Sequence, residues 1–347
     1  MAKTRIFSDN EKNRLRWDRY VTKSEHGTFY HQWGWQKVVK TSLGHQPFYL
    51  AAEKESRIKG VLPLFLVKNP LTGRFLVSVP GANYGGICAD DPDTSNMLLQ
   101  KAKALCIKTG AAYLELRNSD RPVFSLPAND SFATILIHLD KDPDKVWRSF
   151  RKSVRNTARK AARAKIKIEF RSNQSDTIPI FHDLYLRNMK QLGSPCFGQS
   201  FFTSIIRQFP NDSMIVTAGI GNKIVAVDLI VFFKKSILSL YAGTDHNYLK
   251  LGVNTLLTWE EIRYGCTNGF ERYDFGRSSF DSGSFDFKKR WNGEIHRLYY
   301  NYFLHKEKKL PLKNPLSPGY RMASGIWKRL PLPLTRYIGP HIVKYLH

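Results

Sequence analysis

The residues with the clearest chemical potential lie in one stretch, YDFGRSSFDSGSFDFKKRWN, between positions 273 and 292. It contains Asp274-Phe275-Gly276, the tripeptide that holds magnesium in protein kinases. A kinase also needs a glycine-rich phosphate loop and an HRD catalytic loop upstream, and the sequence has neither motif. We therefore interpret the tripeptide as the exit of a strand, where Gly276 lets the chain turn and present Arg277.

Two lysines follow in an alternating run of aromatic and polar residues. If GSFDFKKRW is a strand, Phe285, Phe287 and Lys289 share one face and Lys288 lies on the other. This alternation directs one lysine into a cleft beside aromatic side chains. Acyl transfer to an amine needs proton removal, stabilisation of a tetrahedral oxyanion and alignment of donor with acceptor. The charge of Lys288 suits the oxyanion; two lysines that snorkel from a surface strand are the alternative.

Three other sites are candidates for ligand contacts. Asp274 orients Arg277 or accepts a proton at the carboxyl end of its strand, where open α/β sheets bind ligands; a structural ion pair is the alternative. Tyr241, in LYAGT, is a candidate substrate contact on a central strand, unless it belongs to the core. The glycine-rich turn Tyr84-Gly85-Gly86 would let the backbone approach a ligand closely, unless it only ends a strand.

Composition limits the class of protein. The chain has 347 residues, of which 42% are hydrophobic and 13% aromatic, so we expect one large or two smaller domains with real cores. A net charge of +25 predicts a polyanionic partner: nucleic acid, an anionic membrane surface or a phosphorylated substrate. Apolar runs are too short for a membrane span, and the start lacks the apolar region of a secretory signal. Four scattered cysteines fit a reducing cytoplasm. Histidines without ligand spacing predict no metal site.

The elements that must position these residues occur twice. Each set is a hairpin, a strand, an amphipathic helix ended by glycine and a further strand, over 48–119 and again over 213–278. Arg117 and Arg277 fall at matching places in the two sets. A repeat of this length indicates a duplicated domain rather than a solenoid. The order resembles the core of the GNAT N-acyltransferase fold, so we predict an α/β protein with mixed sheets and two tandem GNAT-like domains, 1–143 and 144–305, followed by a basic, proline-rich tail, 306–347.

A basic helix opens the second predicted domain. Val146, Phe150, Val154 and Ala158 form a narrow apolar stripe, and no acidic residue lies between positions 145 and 167. A face of one sign repels itself and favours an anionic partner over a merely solvated surface. The candidate polyanion contacts are Arg151, Lys152, Arg155 and Arg159. The tail residues 314–347 combine basic and apolar residues with prolines, which fits a membrane surface or packing onto the globular body.

The chain resembles the FemABX family, and most closely its subgroup associated with exosortase/PEP-CTERM and exopolysaccharide systems. The similar stretches include LVSVPGANYGGICADDP, AAYLELRN, YLRNMKQLGSPCFGQSFF and YDFGRSSFDSGSFDFKKRWNGEIHRLYYNYF. The resemblance implies tandem GNAT folds, transfer of an amino acid from aminoacyl-tRNA to an amine of a peptidoglycan precursor, and neither a metal nor a covalent enzyme intermediate. It also implies that Phe287 and Lys288 match the Phe-Lys pair of the family's reaction centre, where the lysine stabilises the oxyanion.

The donor stays open at this point. GNAT enzymes that use acyl-CoA carry [RQ]-x-x-G-x-[GA] at a helix start, where backbone N–H groups take the pyrophosphate. The matching stretch is NYLKLGVNT, with Gly252 but with Asn254 where a small residue is expected. We therefore expect no bound cofactor, and an acyl donor that is aminoacyl-tRNA or acyl-CoA. The expected acceptor is a sugar-nucleotide or lipid-linked precursor of peptidoglycan or exopolysaccharide, met in the cytoplasm or at the inner face of the membrane.

A second class of function competes with the enzyme. A non-catalytic protein that binds nucleic acid or an anionic membrane on a degenerate acyltransferase scaffold would also explain the charge and the incomplete donor loop. Such a protein has no need of a lysine directed into a cleft, so Lys288 is the residue that discriminates between the two hypotheses.

Overall fold

The computed structural model describes residues 3–119, 126–171, 176–311 and 317–346. The chain forms two compact units. The first unit comprises Met1–Phe132, Arg297–Lys313 and Lys344–His347, and the second unit comprises Ala133–His296 and Asn314–Val343. Within the described ranges, every helix is too short or too polar to cross a membrane.

Strands and helices alternate along the chain. The strands are β1 (Lys3–Phe7), β2 (Gln46–Lys54), β3 (Arg57–Asn69), β4 (Gly73–Val77), β5 (Cys88–Ala89), β6 (Tyr113–Asn118), β7 (Ala128–His138), β8 (Lys167–Arg171), β9 (Ser213–Ile220), β10 (Lys223–Phe233), β11 (Ser236–Thr244), β12 (Arg272–Asp274), β13 (Ser278–Ser279) and β14 (Glu294–Leu304). The helices are α1 (Glu11–Lys23), α2 (Trp33–Leu43), α3 (Pro92–Lys108), α4 (Pro143–Ser149), α5 (Lys152–Arg163), α6 (Thr177–Leu192), α7 (Gln199–Gln208), α8 (Val253–Thr267), α9 (Gly283–Lys289), α10 (Pro318–Arg329) and α11 (Leu332–Val343).

The first unit is a mixed sheet in the order β1-β2-β3-β4-β6-β14. Its neighbours are antiparallel except β4 and β6, which run parallel through Leu76–Leu114 and Val77–Glu115. Helix α3 covers one face because its apolar side, with Leu98 and Leu105, joins the aliphatic side chains of β2, β3 and β6 in one core. Asp91 begins this helix by accepting a hydrogen bond from the N–H of Thr94 at 2.7 Å.

The second unit repeats this plan in the order β7-β12-β11-β10-β9-β8. Here β11 and β12 are the parallel pair, and the other neighbours are antiparallel. Helices α5 and α8 join the core, with Val154 of α5 and Ile262 of α8 buried among strand residues. The predicted hairpin–strand–helix–strand order is therefore present in both units, with the second hairpin turning at Gly221 as expected.

Each sheet is completed by a strand that follows the other repeat in the chain. Strand β7 comes after the first repeat, yet its residues Leu136–His138 pair with β12. Strand β14 comes after the second repeat, yet Tyr299–Leu304 pair with β6. The compact units are consequently discontinuous, whereas the predicted domains 1–143 and 144–305 are continuous ranges.

Two local predictions need correction. The stretch GSFDFKKRW is helix α9 and not a strand, because Ser282 accepts a hydrogen bond from the N–H of Phe285 at 3.2 Å and so starts a helix. The basic segment is two helices and not one, because the backbone is extended at Phe150 and Arg151 between α4 and α5. The tail is not one continuous helix, as predicted: Pro331 lies between α10 and α11, although Pro340 lies inside α11.

Candidate active site

The second sheet opens at the parallel pair β11–β12. Their register runs from Ser236–Arg272 to Leu238–Asp274 and ends there. Beyond that point β11 stays with β10, whereas the N–H of Phe275 donates to the carbonyl of Ile135 in β7 at 3.1 Å. A register shift opposite Leu229 and Ile230 leaves an extra residue in β11, which increases the local bend. We call this gap the β11–β12 opening.

The Asp274-Phe275-Gly276 tripeptide forms the turn at this opening, as the strand-exit interpretation predicts. Gly276 has φ +68°, which an L side chain rarely adopts. The buried Asp274 carboxylate accepts the N–H of Gly276 at 2.8 Å and the hydroxyl of Thr134. Asp274 thus fixes the turn, and its negative charge favours the charged form of Lys288.

Lys288 points at the same turn from helix α9. Its Nζ donates to the carbonyl of Gly276 at 2.9 Å and to that of Arg277 at 3.3 Å. The residue as a whole is half-buried, but protein atoms crowd its ammonium, and this burial lowers the pKa of Lys288 from 10.5 to about 8. Asp274 and Asp228 oppose the shift, and Arg277 adds to it. An ammonium held by two carbonyls at a partly desolvated opening can stabilise a developing oxyanion.

The neighbours of Lys288 divide between the opening and the core. Phe287 is half-buried and packs edge-on to Trp291 at 6.2 Å, whereas Lys289 is exposed. The predicted separation of the two lysines therefore holds, but it arises from helical rather than strand geometry. Arg277 is half-buried, and its charge acts on Lys288 and also on Tyr185 of α6.

Two buried carboxyl groups lie behind the opening. Asp228, in β10, accepts the hydroxyl of Ser239 at 2.5 Å, and burial raises the pKa of Asp228 to about 7. Glu261, in α8, accepts the hydroxyl of Tyr273 at 2.6 Å. Burial, and then repulsion from Asp228, raises the pKa of Glu261 well above its ordinary value. A carboxylate whose pKa lies near neutrality can accept a proton under working conditions.

These carboxyl groups were not among the sequence-based candidates. Asp228 had a signal, since it is the single acid within the apolar run KIVAVDLIVFF, and an acid in a buried strand needs a reason to be there. Glu261 had none, because Glu260 beside it is chemically identical and only the helix phase decides which one faces the core.

Tyr241 lies on the wall of the opening. Its half-buried ring meets other aromatic rings edge to face at centroid distances of 5.4–6.0 Å; these belong to Tyr185, Phe197, Phe201 and Phe202. Such a cluster fixes the ring firmly. The core role that was the alternative for Tyr241 therefore has direct support, and a substrate contact stays a prediction.

The predicted donor loop has a packing reason for its glycine. Gly252 precedes α8 with φ +79°, and a Cβ there would lie 2.6 Å from Cγ2 of Thr157 in α5. Nearby, Lys160 donates to the carbonyl of Lys250 at 3.3 Å. Asn254 accepts the hydroxyl of Thr244 at 2.5 Å, which ties the first turn of α8 to the end of β11. The N-terminus of α8 consequently lies beside the basic helix, and both attract anions.

The basic segment, α4 and α5, keeps its apolar stripe buried and most of its charges outside. The stripe residues Val146, Phe150, Val154 and Ala158 are all buried, as predicted. Arg151 donates to Asn292 at 3.0 Å, close in sequence to α9, and the guanidinium of Arg159 lies 5.6 Å from the ring centre of Trp147. Arg155 is half-buried, and Lys152 is exposed.

In the first unit, the corresponding place is filled by the chain itself. After β4, the N–H of Ser78 donates to the carbonyl of Glu115 at 3.0 Å, and the N–H of Gly85 donates to that of Arg117 at 2.8 Å. Arg117 is buried, with hydrogen bonds of 2.7 Å to Glu115 and to the carbonyl of Ala82.

The glycine-rich turn of the first unit has structural reasons for its residues. Gly85 has φ +148°, and a Cβ at Gly86 would overlap the side chain of Asn118. Tyr84 is buried against Tyr30, with ring centres 5.5 Å apart. Packing thus accounts for Tyr84, Gly85 and Gly86, and ligand contact by this turn stays a prediction. Across the described ranges, no cluster of three or more histidine, cysteine or acidic side chains could hold a metal ion.

Comparison with known proteins identifies the fold. Residues 148–289 match the family model for the acetyltransferase (GNAT) domain, and no curated protein matches the sequence. The structure is similar to that of FemX, with a TM-score of 0.70 and 14% identity over 88% of this chain and 98% of the other. It is similar to the C-terminal domain (DUF2156) of a protein assigned as a lysylphosphatidylglycerol synthetase from Agrobacterium fabrum, with a TM-score of 0.57 and 10% identity over 86% and 92% of the two chains.

A third similar structure is a tandem GNAT protein from the clavulanic acid biosynthesis pathway, with a TM-score of 0.54 and 9% identity over 88% of this chain and 98% of the other. Identities this low concern the fold alone. The chain has an α/β architecture of two tandem GNAT-like domains, which confirms the predicted fold class.

Proposed function

We propose that the protein is an N-acyltransferase whose chemistry takes place at the β11–β12 opening of the second unit. The observation that carries this proposal is the ammonium of Lys288, held between the carbonyls of Gly276 and Arg277 at 2.9 and 3.3 Å. The GNAT match over 148–289 includes β10, β11, β12 and α9 of the opening, and so supports the same assignment.

In the proposed reaction, the acceptor amine attacks the acyl carbonyl carbon of the donor. A C–N bond forms, and the carbonyl oxygen becomes an oxyanion that Lys288 stabilises by charge. The oxyanion then collapses and the C–O bond of an aminoacyl ester, or the C–S bond of a thioester, breaks. Asp228 is the proposed acceptor of the amine proton, because its pKa of about 7 suits a base at neutral pH. The leaving oxygen or sulfur takes up this proton from Asp228, which restores the carboxylate.

For the donor, we propose aminoacyl-tRNA over acyl-CoA. The N-terminus of α8 can take one phosphate group, but α5 beside it adds a row of cations that a single pyrophosphate would not use. Asn254 also stands where acyl-CoA enzymes carry a small residue. The proposed acceptor is an amine of a sugar-nucleotide or lipid-linked precursor of peptidoglycan or exopolysaccharide, in keeping with the resemblance to envelope-associated FemABX proteins.

The second candidate, a non-catalytic polyanion-binding protein, is favoured by the exposed cations of α5 and the net charge of +25. It differs from the enzyme in needing no charge at Lys288. We expect mass spectrometry of envelope precursors to show a species with an added acyl group in wild-type cells that is missing from a deletion strain. A strain carrying Lys288→Met should resemble the deletion strain. An unchanged precursor pool in both strains would refute the enzyme.

A further inference from the structure

The helices α10 and α11 each bury only one side. Trp327 is the buried residue of α10, and Thr335, Gly339 and Val343 form the buried line of α11. Both helices pack in the second unit; Lys190 of α6, for example, donates to the carbonyl of Lys328 at 2.5 Å. Their opposite sides are available to a partner.

The available sides carry large apolar residues. Met322 and Ile326, one turn apart on α10, are 66% and 54% exposed. Leu334 and Tyr337, three residues apart on α11, are 43% and 73% exposed. Residues three or four apart lie on one helix face, so each helix presents a pair of apolar side chains away from its buried line. We call these four residues the tail apolar face.

The charged residues of the two tail helices are all basic. Arg321, Lys328 and Arg329 are exposed on α10, and no acidic residue occurs after position 307. Arg336 of α11 pairs with Asp183 of α6, so its charge is already partly compensated. Helices with apolar residues on one side and arginine or lysine along its border are typical of segments that lie in the interface of an anionic bilayer.

We propose that the tail apolar face docks the protein on an anionic lipid surface, with Met322, Ile326, Leu334 and Tyr337 in the interfacial region and the neighbouring cations on lipid phosphates. A second copy of the chain fits less well, because two such faces would bring like charges together. Nucleic acid would use the cations but not the exposed methionine, isoleucine and leucine. Each helix has 12 residues, which suits a helix that lies on a bilayer and does not cross it.

Co-sedimentation of the full chain with phosphatidylglycerol-containing vesicles, and with pure phosphatidylcholine vesicles, tests the proposal. We expect binding to the first and little to the second. Replacing all four residues of the tail apolar face by serine should weaken binding at least about tenfold, with a melting temperature close to that of the wild type. The matched control is Leu15→Ser with Leu71→Ser, two residues 60% and 93% exposed in the first unit, which should bind as the wild type does.

Three results would overturn the proposal. Vesicle binding that survives the four serines would place the lipid contact elsewhere. Loss of binding only when Arg151, Lys152, Arg155 and Arg159 are changed to glutamate would assign it to α5. A wild-type dimer that the four serines convert to monomer, with no vesicle binding in either, would assign the face to a second copy of the chain. None of these measurements uses acyl transfer, so the docking proposal and the proposed function fail independently.

Discussion

Substitution of Lys288 by methionine should remove a pH-dependent part of the stability and abolish most of the activity. Because the folded pKa of about 8 lies below the ordinary 10.5, the folded protein binds fewer protons than the unfolded chain between these values. The free energy of unfolding therefore rises with pH in this window, at up to about 1.4 kcal/mol per pH unit. Between pH 7.5 and 9.5 the Lys288 contribution amounts to about 2 kcal/mol.

Urea unfolding at the two pH values measures this term. Other groups also titrate there, so the comparison is between variants: the wild type and Lys289→Met should gain about 2 kcal/mol more than Lys288→Met on going to pH 9.5. At pH 7.5, loss of the buried charge and loss of the two carbonyl hydrogen bonds oppose each other, since an unpaired buried carbonyl costs about 1–3 kcal/mol. We expect Lys288→Met to be about as stable as the wild type there.

Activity separates the two lysines further. Loss of one oxyanion donor typically lowers kcat by about 10²–10³-fold with a smaller effect on binding. We expect this loss for Lys288→Met and a change of less than about threefold for the exposed Lys289. Equal behaviour of the two variants in both assays would refute the placement of the Lys288 ammonium at the opening. If Lys288→Met lacks the wild type's gain in stability at pH 9.5 but keeps full activity, the burial of the Lys288 ammonium would stand and its role in catalysis would be refuted.

Three further predictions follow from the same contacts. Asp228→Asn should remove the acidic limb of the pH–rate profile near pH 7, which pH-dependent kinetics measure. The variant should also become more stable relative to the wild type as pH rises from 4 to 7, because the raised pKa of Asp228 means that its ionisation destabilises the fold. Urea unfolding measures this second effect. In the first unit, Arg117→Met should cost about 3–5 kcal/mol of unfolding free energy, because it leaves Glu115 buried and unpaired, whereas the half-buried Arg277→Met should lose activity with little change in the urea midpoint. Replacing Arg151, Lys152, Arg155 and Arg159, at the start of α5 and along it, by glutamate should flatten the dependence of log Kd for tRNA on log salt. An unchanged slope in filter-binding titrations would remove these four residues from the functional surface.

The parts of the fold that the sequence predicts correctly are those set by local patterns. Gly221 between two apolar runs indicates a hairpin, and this signal does not depend on what the hairpin packs against. The strands β7 and β14 show the opposite case. Which sheet a strand joins depends on non-local pairing, and a duplicated chain offers each of these strands two similar edges. The exchange of these two strands therefore has no local signal.

Helix α9 shows why a site can be located correctly on a wrong element. Over the seven residues Gly283–Lys289, a strand and a helix would both point Lys288 and Lys289 in different directions. The separation of the two lysines therefore does not tell a strand from a helix. The deciding feature is the cap at Ser282, with Asp286 in the first turn and the lysines in the last, which a helix favours at both ends. The prediction for Lys288 depended on its side chain pointing away from that of Lys289, and this holds for a helix as well as for a strand.

The two repeats show what distinguishes a site from its scaffold. Both have a parallel pair of strands with an arginine just beyond the paired residues. In the first unit, however, the chain after β4 pairs with β6, and Arg117 is enclosed by Glu115 and main-chain carbonyls. In the second unit the strands separate, and two buried carboxyls and Lys288 lie at the separation. Burial raises the pKa of Asp228 to about 7 and that of Glu261 well above its ordinary value, and it lowers the pKa of Lys288 to about 8. Filling the gap would favour stability, because it pairs polar groups and removes buried charge. A gap that leaves the charges of Asp228 and Lys288 poorly solvated is better explained by chemistry than by folding. This contrast supports the proposal that the reaction takes place in the second unit.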